Sequence, residues 1–420
     1  MLDLPPRENR TASWLFVAIW TLVIYVTIFF GREIQRFVYA TWGRDAFLIF
    51  VVVSIAAGIA LAFRSLRAGG GGNFRNVLSL AAVACAYGAG TYHLRHNPEE
   101  AVHFVEYGVL SLLLYRALIH RNRNVLVFVA ASFACASLGA IDEMIQWLVP
   151  RRFFDFRDIW VNVAGGVLMQ LALALGLRPK CAGSPVTVQS IRTTARLGMV
   201  FFAILLAFSS NTLQRQDQCA KTQWLPAWLK VADGDLMAEY GCRHRIDGAA
   251  FSSRLSLEQI RQEDGREPAW RGELLNQHQN RRGYDVMLSR YGPLSDPFLY
   301  ELRVRLFRRD MHVASAKRTM ADAAALKYHA TIAYREQQIV DTFMPQTFAA
   351  ATAYAWKPEI RTAVTAFADT SSKYTSPVSG HLITSFSERE LQALLLLVIA
   401  AIFALERAAV RTRFHHVDKT

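Results

Sequence analysis

Long apolar runs constrain this chain more than anything else in it. They occupy residues 14–30, 46–63, 77–94, 101–119, 125–149, 159–177, 197–209 and 391–405. A bilayer core is about 30 Å thick and a helix rises about 1.5 Å per residue, so roughly 20 residues cross it. Hydrocarbon offers the backbone no water, and helices answer this by pairing every N–H and C=O internally. The expected fold is therefore an α-helical polytopic membrane protein of about eight transmembrane helices. The last two runs are short and must borrow polar flanks. The third, with AAVACAYGAG, is rich in the small residues that suit close helix packing rather than lipid contact. The first run is followed by Gly31, Arg32 and Glu33 without a small-residue cleavage pattern, so it reads as a retained helix.

Between the last two runs lies a region of different solvent. The chain is 52% hydrophobic and 19% charged overall, yet residues 211–388 are polar. The net charge of +13 is not concentrated there, because 211–388 hold 23 Lys and Arg against 20 Asp and Glu. With no basic stripe on this region, nucleic-acid binding is excluded as an expectation. The basic excess sits in short loops. An inside N-terminus collects 15 Lys and Arg on the inner face against 7 on the outer one. Basic short loops favour the cytoplasm, whereas long domains translocate regardless of charge. The implied layout is a cytoplasmic N-terminus (1–13), a transmembrane domain (14–177) and a cytoplasmic loop (178–196). A helix (197–210), a mainly helical extracytoplasmic domain (211–388), a last helix (389–406) and a cytoplasmic tail (407–420) complete it.

Within 211–388, Ser295-Asp296-Pro297 reads as a cap followed by Pro at the first helical position. The following LYELRVRLF alternates and suits either helix or strand. Residues 320–343 carry helical spacing, and Ser387 with Glu390 forms a capping box for the last helix. His312 beside Asp310, and His329 with Glu336, read as surface pairs. Cys219 and Cys242 meet oxidising conditions on this layout. A bridge between them would contribute about 3 kcal/mol on the chain-entropy model; the alternative is two separate thiols.

The polar residues of the membrane region are not scattered. His103, Glu106 and Tyr107 share one helix face by their spacing of three and four. Asp142, Glu143 and Gln146 do the same at the end of the fifth run, and Asp155, Asp158 and Asn162 open the sixth. The loop VPRRFFDFRD between them adds Arg151, Arg152 and Arg157. On the layout above all three segments deliver these groups to the outer surface. Ionisable groups in hydrocarbon are costly and mark function when they gather.

His103-x-x-x-Tyr107, Glu143-x-x-Gln146, Pro150-x-Arg152 and Asp158-x-x-x-Asn162-x-x-Gly165 together resemble the VanZ-like membrane proteins, named for a glycopeptide (teicoplanin) resistance protein. The resemblance covers roughly 15–177 and departs at Arg151, where the family often has Gly. It implies a bacterial cell-envelope protein of the cytoplasmic membrane. Structural roles suit Glu106, Gly165 and Gly166, the glycines allowing close helix approach. Asp158 can cap the sixth helix, Asn162 can bond between helices, and Glu143 can pair with Arg152.

The sharper reading makes the cluster a site. Tyr107, Gln146, Arg151, Arg152, Arg157, Asp158 and Asn162 would bind an anionic lipid or lipid-linked precursor headgroup, while His103 and Glu143 move a proton. No cofactor or metal is expected, a lone His among carboxylates being a poor metal set. The protein then acts as a binding or assembly module with lipid and envelope-protein partners. The alternatives are an enzyme on a lipid-linked substrate, or a transporter. A reporter fused after Gly265 is expected to be active outside the cytoplasm; cytoplasmic activity would reverse the orientation.

Overall fold

The computed structural model describes residues 9–68, 73–95, 97–149, 154–212 and 237–417, the side chains of 181 and 413–417 excepted. Two compact units divide the chain: Met1–Ser210 with Gln392–Thr420, and Asn211–Leu391.

The first unit contains α1 (Arg10–Trp42), α2 (Ala46–Ala68), α3 (Phe74–His93), α4 (Val102–Leu118), α5 (Leu126–Leu148), α6 (Phe156–Leu171) and α7 (Val188–Ser209). A π-helical turn, Ala172–Leu177, continues α6. The long helix Glu388–Val417 begins in the second unit and runs into the first. Among the described residues, six helices are long and apolar enough to cross a membrane: α1, α2, α5, α6 with its π turn, α7 and the last one. The expected spans 77–94 and 101–119 are α3 and α4, which fall outside this set. The 17 residues of α4 include His103, Glu106 and Arg116. Arg75, Asn76, Thr91 and His93 dilute the hydropathy of α3. The two short runs gain length from polar flanks. A Thr187–Ser190 capping box starts α7 nine residues before the expected 197, and the Ser387–Glu390 box starts the last helix.

The core of the first unit is built on α4, which packs against α1, α5 and α6. Its approach depends on small residues facing it. A side chain at Gly165 would meet the backbone of Phe104, and one at Gly166 would meet Cys135. The bare carbonyls this leaves on α6 accept hydrogen bonds from Tyr87 (2.7 Å) and Ser111 (2.8 Å).

The second unit is mainly helical, with a small sheet absent from the sequence reading. Strand β1 (Cys242–Ile246) pairs antiparallel with β2 (Ala249–Ser253) across Gly248, at φ 69°, and β3 (Tyr374–Thr375) joins β2 in parallel. The helices are α8 (Leu257–Gly265), α9 (Pro268–Gln277), α10 (Arg281–Arg290), α11 (Pro297–Arg318), α12 (Ala323–Phe343), α13 (Pro345–Ala350) and α14 (Pro358–Phe367); the last helix of the chain is α15. Asp296 caps α11 through Leu299 N–H at 2.9 Å. LYELRVRLF is thus helical. Its alternation arises because the interleaved arginines are themselves core: Arg303 and Arg305 are fully buried, as is Arg309 just beyond the stretch. Burying a guanidinium demands partners. Arg305 pairs with Glu336 (3.2 Å) and donates to Ser252 O, and Arg309 donates to Gln337 and to Tyr354 O.

Two expectations fail here for the same reason. Glu336 is buried rather than on the surface, and His312 is buried against His329, Nδ1 to Nδ1 at 2.8 Å, rather than paired with Asp310. The Cys219–Cys242 pairing lies outside the described residues because Cys219 does; Cys242 opens β1.

Burial, with Arg308 and His329 adding, pushes the His312 imidazole down to about 4. Between pH 6.5 and 4 the unfolded chain therefore takes up a proton that the folded one refuses, and stability present above 6.5 is lost as pH falls. The opening free energy of α11 amides in the intact chain, read from hydrogen exchange after division by the intrinsic rate at each pH, is expected to fall across this window by on the order of 2–3 kcal/mol. His312→Gln should remove that pH dependence.

Candidate functional site

The site begins with the sequence of α5. Gly139, Asp142, Glu143 and Gln146 are three or four residues apart and share one face. At Gly139 two neighbours come in close: an added Cβ would meet Asn162 of α6 at 2.8 Å and the Tyr107 ring of α4 at 3.1 Å. One turn later Asp142 and Glu143 stand over this junction, at 1% and 0% exposure. Gln146 completes the turn and bridges both acids, donating to Glu143 Oε1 at 2.7 Å and Asp142 Oδ2 at 3.3 Å. From α6, Asn162 donates to the Gly139 carbonyl at 3.3 Å.

Half of the polar capacity of this junction is used in that way. The other half is not. The Tyr107 hydroxyl, Asp142 Oδ1, Glu143 Oε2 and Asn162 Oδ1 are buried and make no well-formed hydrogen bond among the described residues, although Tyr107 and Asp142 lie near enough to interact with each other. A buried polar group left unmet costs about 1–3 kcal/mol, more if charged. Four such atoms on three helices at one junction are a set, and three of the four are acceptors only. The arrangement suits a ligand that brings donors.

Towards the end of the bundle the site becomes more charged. His103 binds Glu106 at 2.9 Å on α4, and it lies close enough to Asp142, Glu143 and Asp158 to feel their charge. Arg157 on α6 meets Glu100 at 2.7 Å and stands 3.6 Å from Asp158. The cap of α6 is Asp155, whose carboxylate accepts from Arg157 N–H at 2.8 Å, so Asp158 is not the capping residue. Asp158 is left in the first turn, where the helix dipole favours a carboxylate.

The described residues thus bring together His103, Glu106, Tyr107, Glu143, Gln146, Arg157, Asp158 and Asn162. Arg151 and Arg152 lie outside them, and with them the Glu143–Arg152 pair. Among the described residues carboxylates predominate: Glu100, Glu106, Asp142, Glu143, Asp155 and Asp158 stand against Arg157 and the titratable His103.

Residues of α1 were missed in the sequence reading because the first apolar run ends at Phe30. The helix continues to Trp42, and its extension carries Gln35 and Tyr39 to Glu99, each at 2.8 Å. The four-residue spacing of Gln35 and Tyr39 was the available signal. Deeper on α1, Trp20 donates to the Glu106 carbonyl and Tyr25 to the Leu138 carbonyl, holding α4 and α5 beside each other.

Residues 14–176 match the family model described as VanZ/LLP1. That segment holds most of α1, all of α2 to α6 and the polar site, and together with the apolar helices it makes this a multi-pass membrane protein. No curated protein and no solved structure matches the chain.

Gly139 tests the packing of the junction. Gly139→Ala is expected to destabilise the first unit by about 1–3 kcal/mol through overpacking against Asn162 and Tyr107. A thermal unfolding series in detergent reads this, and Gly58→Ala, which meets nothing within 4 Å, should be neutral or better.

Proposed function

We propose, from the VanZ/LLP1-like segment and the site within it, that this is a cell-envelope membrane protein binding the headgroup of a lipid or lipid-linked envelope precursor. The observation that carries the reading is the set of four unmet buried oxygens on Tyr107, Asp142, Glu143 and Asn162. Hydroxyl or amine donors of a headgroup satisfy them, and each bond to a carboxylate contributes about 1.5–3 kcal/mol. The anionic part of the same headgroup falls to arginines. Arg157 is largely neutralised by Glu100 and Asp158, which leaves Arg151 and Arg152 as the phosphate-facing residues by sequence. The junction on this reading recognises the ligand's donors and the two arginines its charge.

On this reading the protein acts as a binding or assembly module on the outer face, with 211–388 extracytoplasmic and both termini cytoplasmic. The second unit then presents a surface to envelope partners. One observation favours catalysis as a second reading: His103 is held against Glu106 with three further carboxylates in range, a geometry that can carry a proton.

Binding of a lipid-linked sugar by the purified chain is expected to weaken about tenfold or more in Glu143→Gln and in Arg152→Ala, one lost charged hydrogen bond being worth that much. The Arg152 variant alone should lose its salt dependence. Unchanged affinity in both would remove the headgroup reading. His103→Ala separates the two roles, since a module retains its phenotype and an enzyme loses it.

A further inference from the structure

Away from the polar junction, α2, α3, α4 and the π turn after α6 enclose a half-open groove of about 920 Å³. Its walls are almost entirely apolar, and small residues make the room: Ala57, Gly58 and Ala62 on α2 and Ala84 on α3. The π turn shapes the far wall, where the extra residue of the wider turn brings Ala172, Leu173 and Leu177 to the groove. Along α2 the lining runs from Ser54 to Ser65, twelve residues spanning about 16 Å of helix. That is half of a hydrocarbon core of about 30 Å, the depth of one leaflet.

The two ends differ in chemistry. Phe104 lies at the end towards the polar junction. At the opposite end Arg64 lines the groove; Arg67 in the last turn of α2 and Arg75 in the first turn of α3 belong to the same end of this helix pair without lining the groove. None of these three arginines has an ion-pair partner among the described residues. A one-leaflet apolar groove ending in unpaired guanidinium groups matches one common molecule.

We propose that this groove holds an acyl chain of an anionic phospholipid, with the phosphate at Arg64 and the net negative headgroup under Arg67 and Arg75. Lipid tails are as apolar as the groove walls, so little is gained by moving a chain from bilayer to groove. Selection therefore rests on the phosphate and on the charge of the headgroup, and basic clusters beside a transmembrane helix favour anionic lipid. This site lies at the other end of the bundle from the polar junction and is independent of the function proposed for it.

Two glycines give a clean test, because an added Cβ at Gly58 or at Gly88 meets nothing within 4 Å and only Gly58 lines the groove. The full chain in detergent, titrated with phosphatidylglycerol and read by native mass spectrometry, is expected to retain one lipid. Gly58→Trp should lower that occupancy by about tenfold, and Gly88→Trp should leave it unchanged. Arg64→Gln should weaken retention of phosphatidylglycerol and phosphatidylcholine alike, and Arg67→Gln with Arg75→Gln should abolish the preference for phosphatidylglycerol. Equal retention in wild type and Gly58→Trp overturns the proposal, as does equal loss in both tryptophan variants. Retention of a polyprenyl phosphate in place of phosphatidylglycerol, or dimerisation that Gly58→Trp abolishes, overturns it as well by assigning the groove another occupant.

Discussion

Two carboxylic acids, Asp142 and Glu143, sit side by side inside a helical bundle and share a single amide, that of Gln146. The rest of the first unit is arranged around this constraint. Glycine at 139 lets Asn162 and Tyr107 close in beneath them, and Gly165 and Gly166 let α6 approach α4 and α5. Trp20 and Tyr25 on α1 hold α4 and α5 by their backbone carbonyls. Small residues and lateral hydrogen bonds replace the hydrophobic effect as the cohesive device, as expected where the surroundings are hydrocarbon.

The second unit handles a buried acid in a different way. Glu336 has both oxygens engaged: Oε1 accepts from Tyr374 and Ser376 at 2.6 Å each, and Oε2 meets Arg305 at 3.2 Å. Such a network is a finished structural element. Glu143, equally buried, has one oxygen met and one unmet. One unmet oxygen is not enough to mark a site, since Glu301 in the second unit also leaves Oε2 unmet while its Oε1 accepts from Arg254 N–H and Ser379; what sets Glu143 apart is that its unmet oxygen is one of four gathered at a single junction.

Much of this architecture was legible in the sequence because hydropathy and helix spacing are local. The apolar runs located the helices, and spacings of three and four placed Glu143 with Gln146 and His103 with Tyr107. What escaped was set by tertiary partners. α1 runs past Phe30 because Gln35 and Tyr39 find Glu99, and nothing local announces that acid 60 residues away. Asp155 rather than Asp158 caps α6, a difference that depends on where the chain turns in. LYELRVRLF looked like a possible strand because buried arginines imitate a polar face. α4 falls outside the spanning set because only 17 of its residues are helical, and α3 because Arg75, Asn76, Thr91 and His93 displace apolar ones.

The central claim is that Asp142 and Glu143 are held open for a ligand's donors. Infrared difference spectra of the detergent-solubilised chain, recorded with and without a lipid-linked sugar, test it most directly. The account predicts a shift of carboxyl or carboxylate stretching bands that is lost in Asp142→Asn with Glu143→Gln. Band positions unaltered by ligand, or a shift that survives in the double variant, would contradict it.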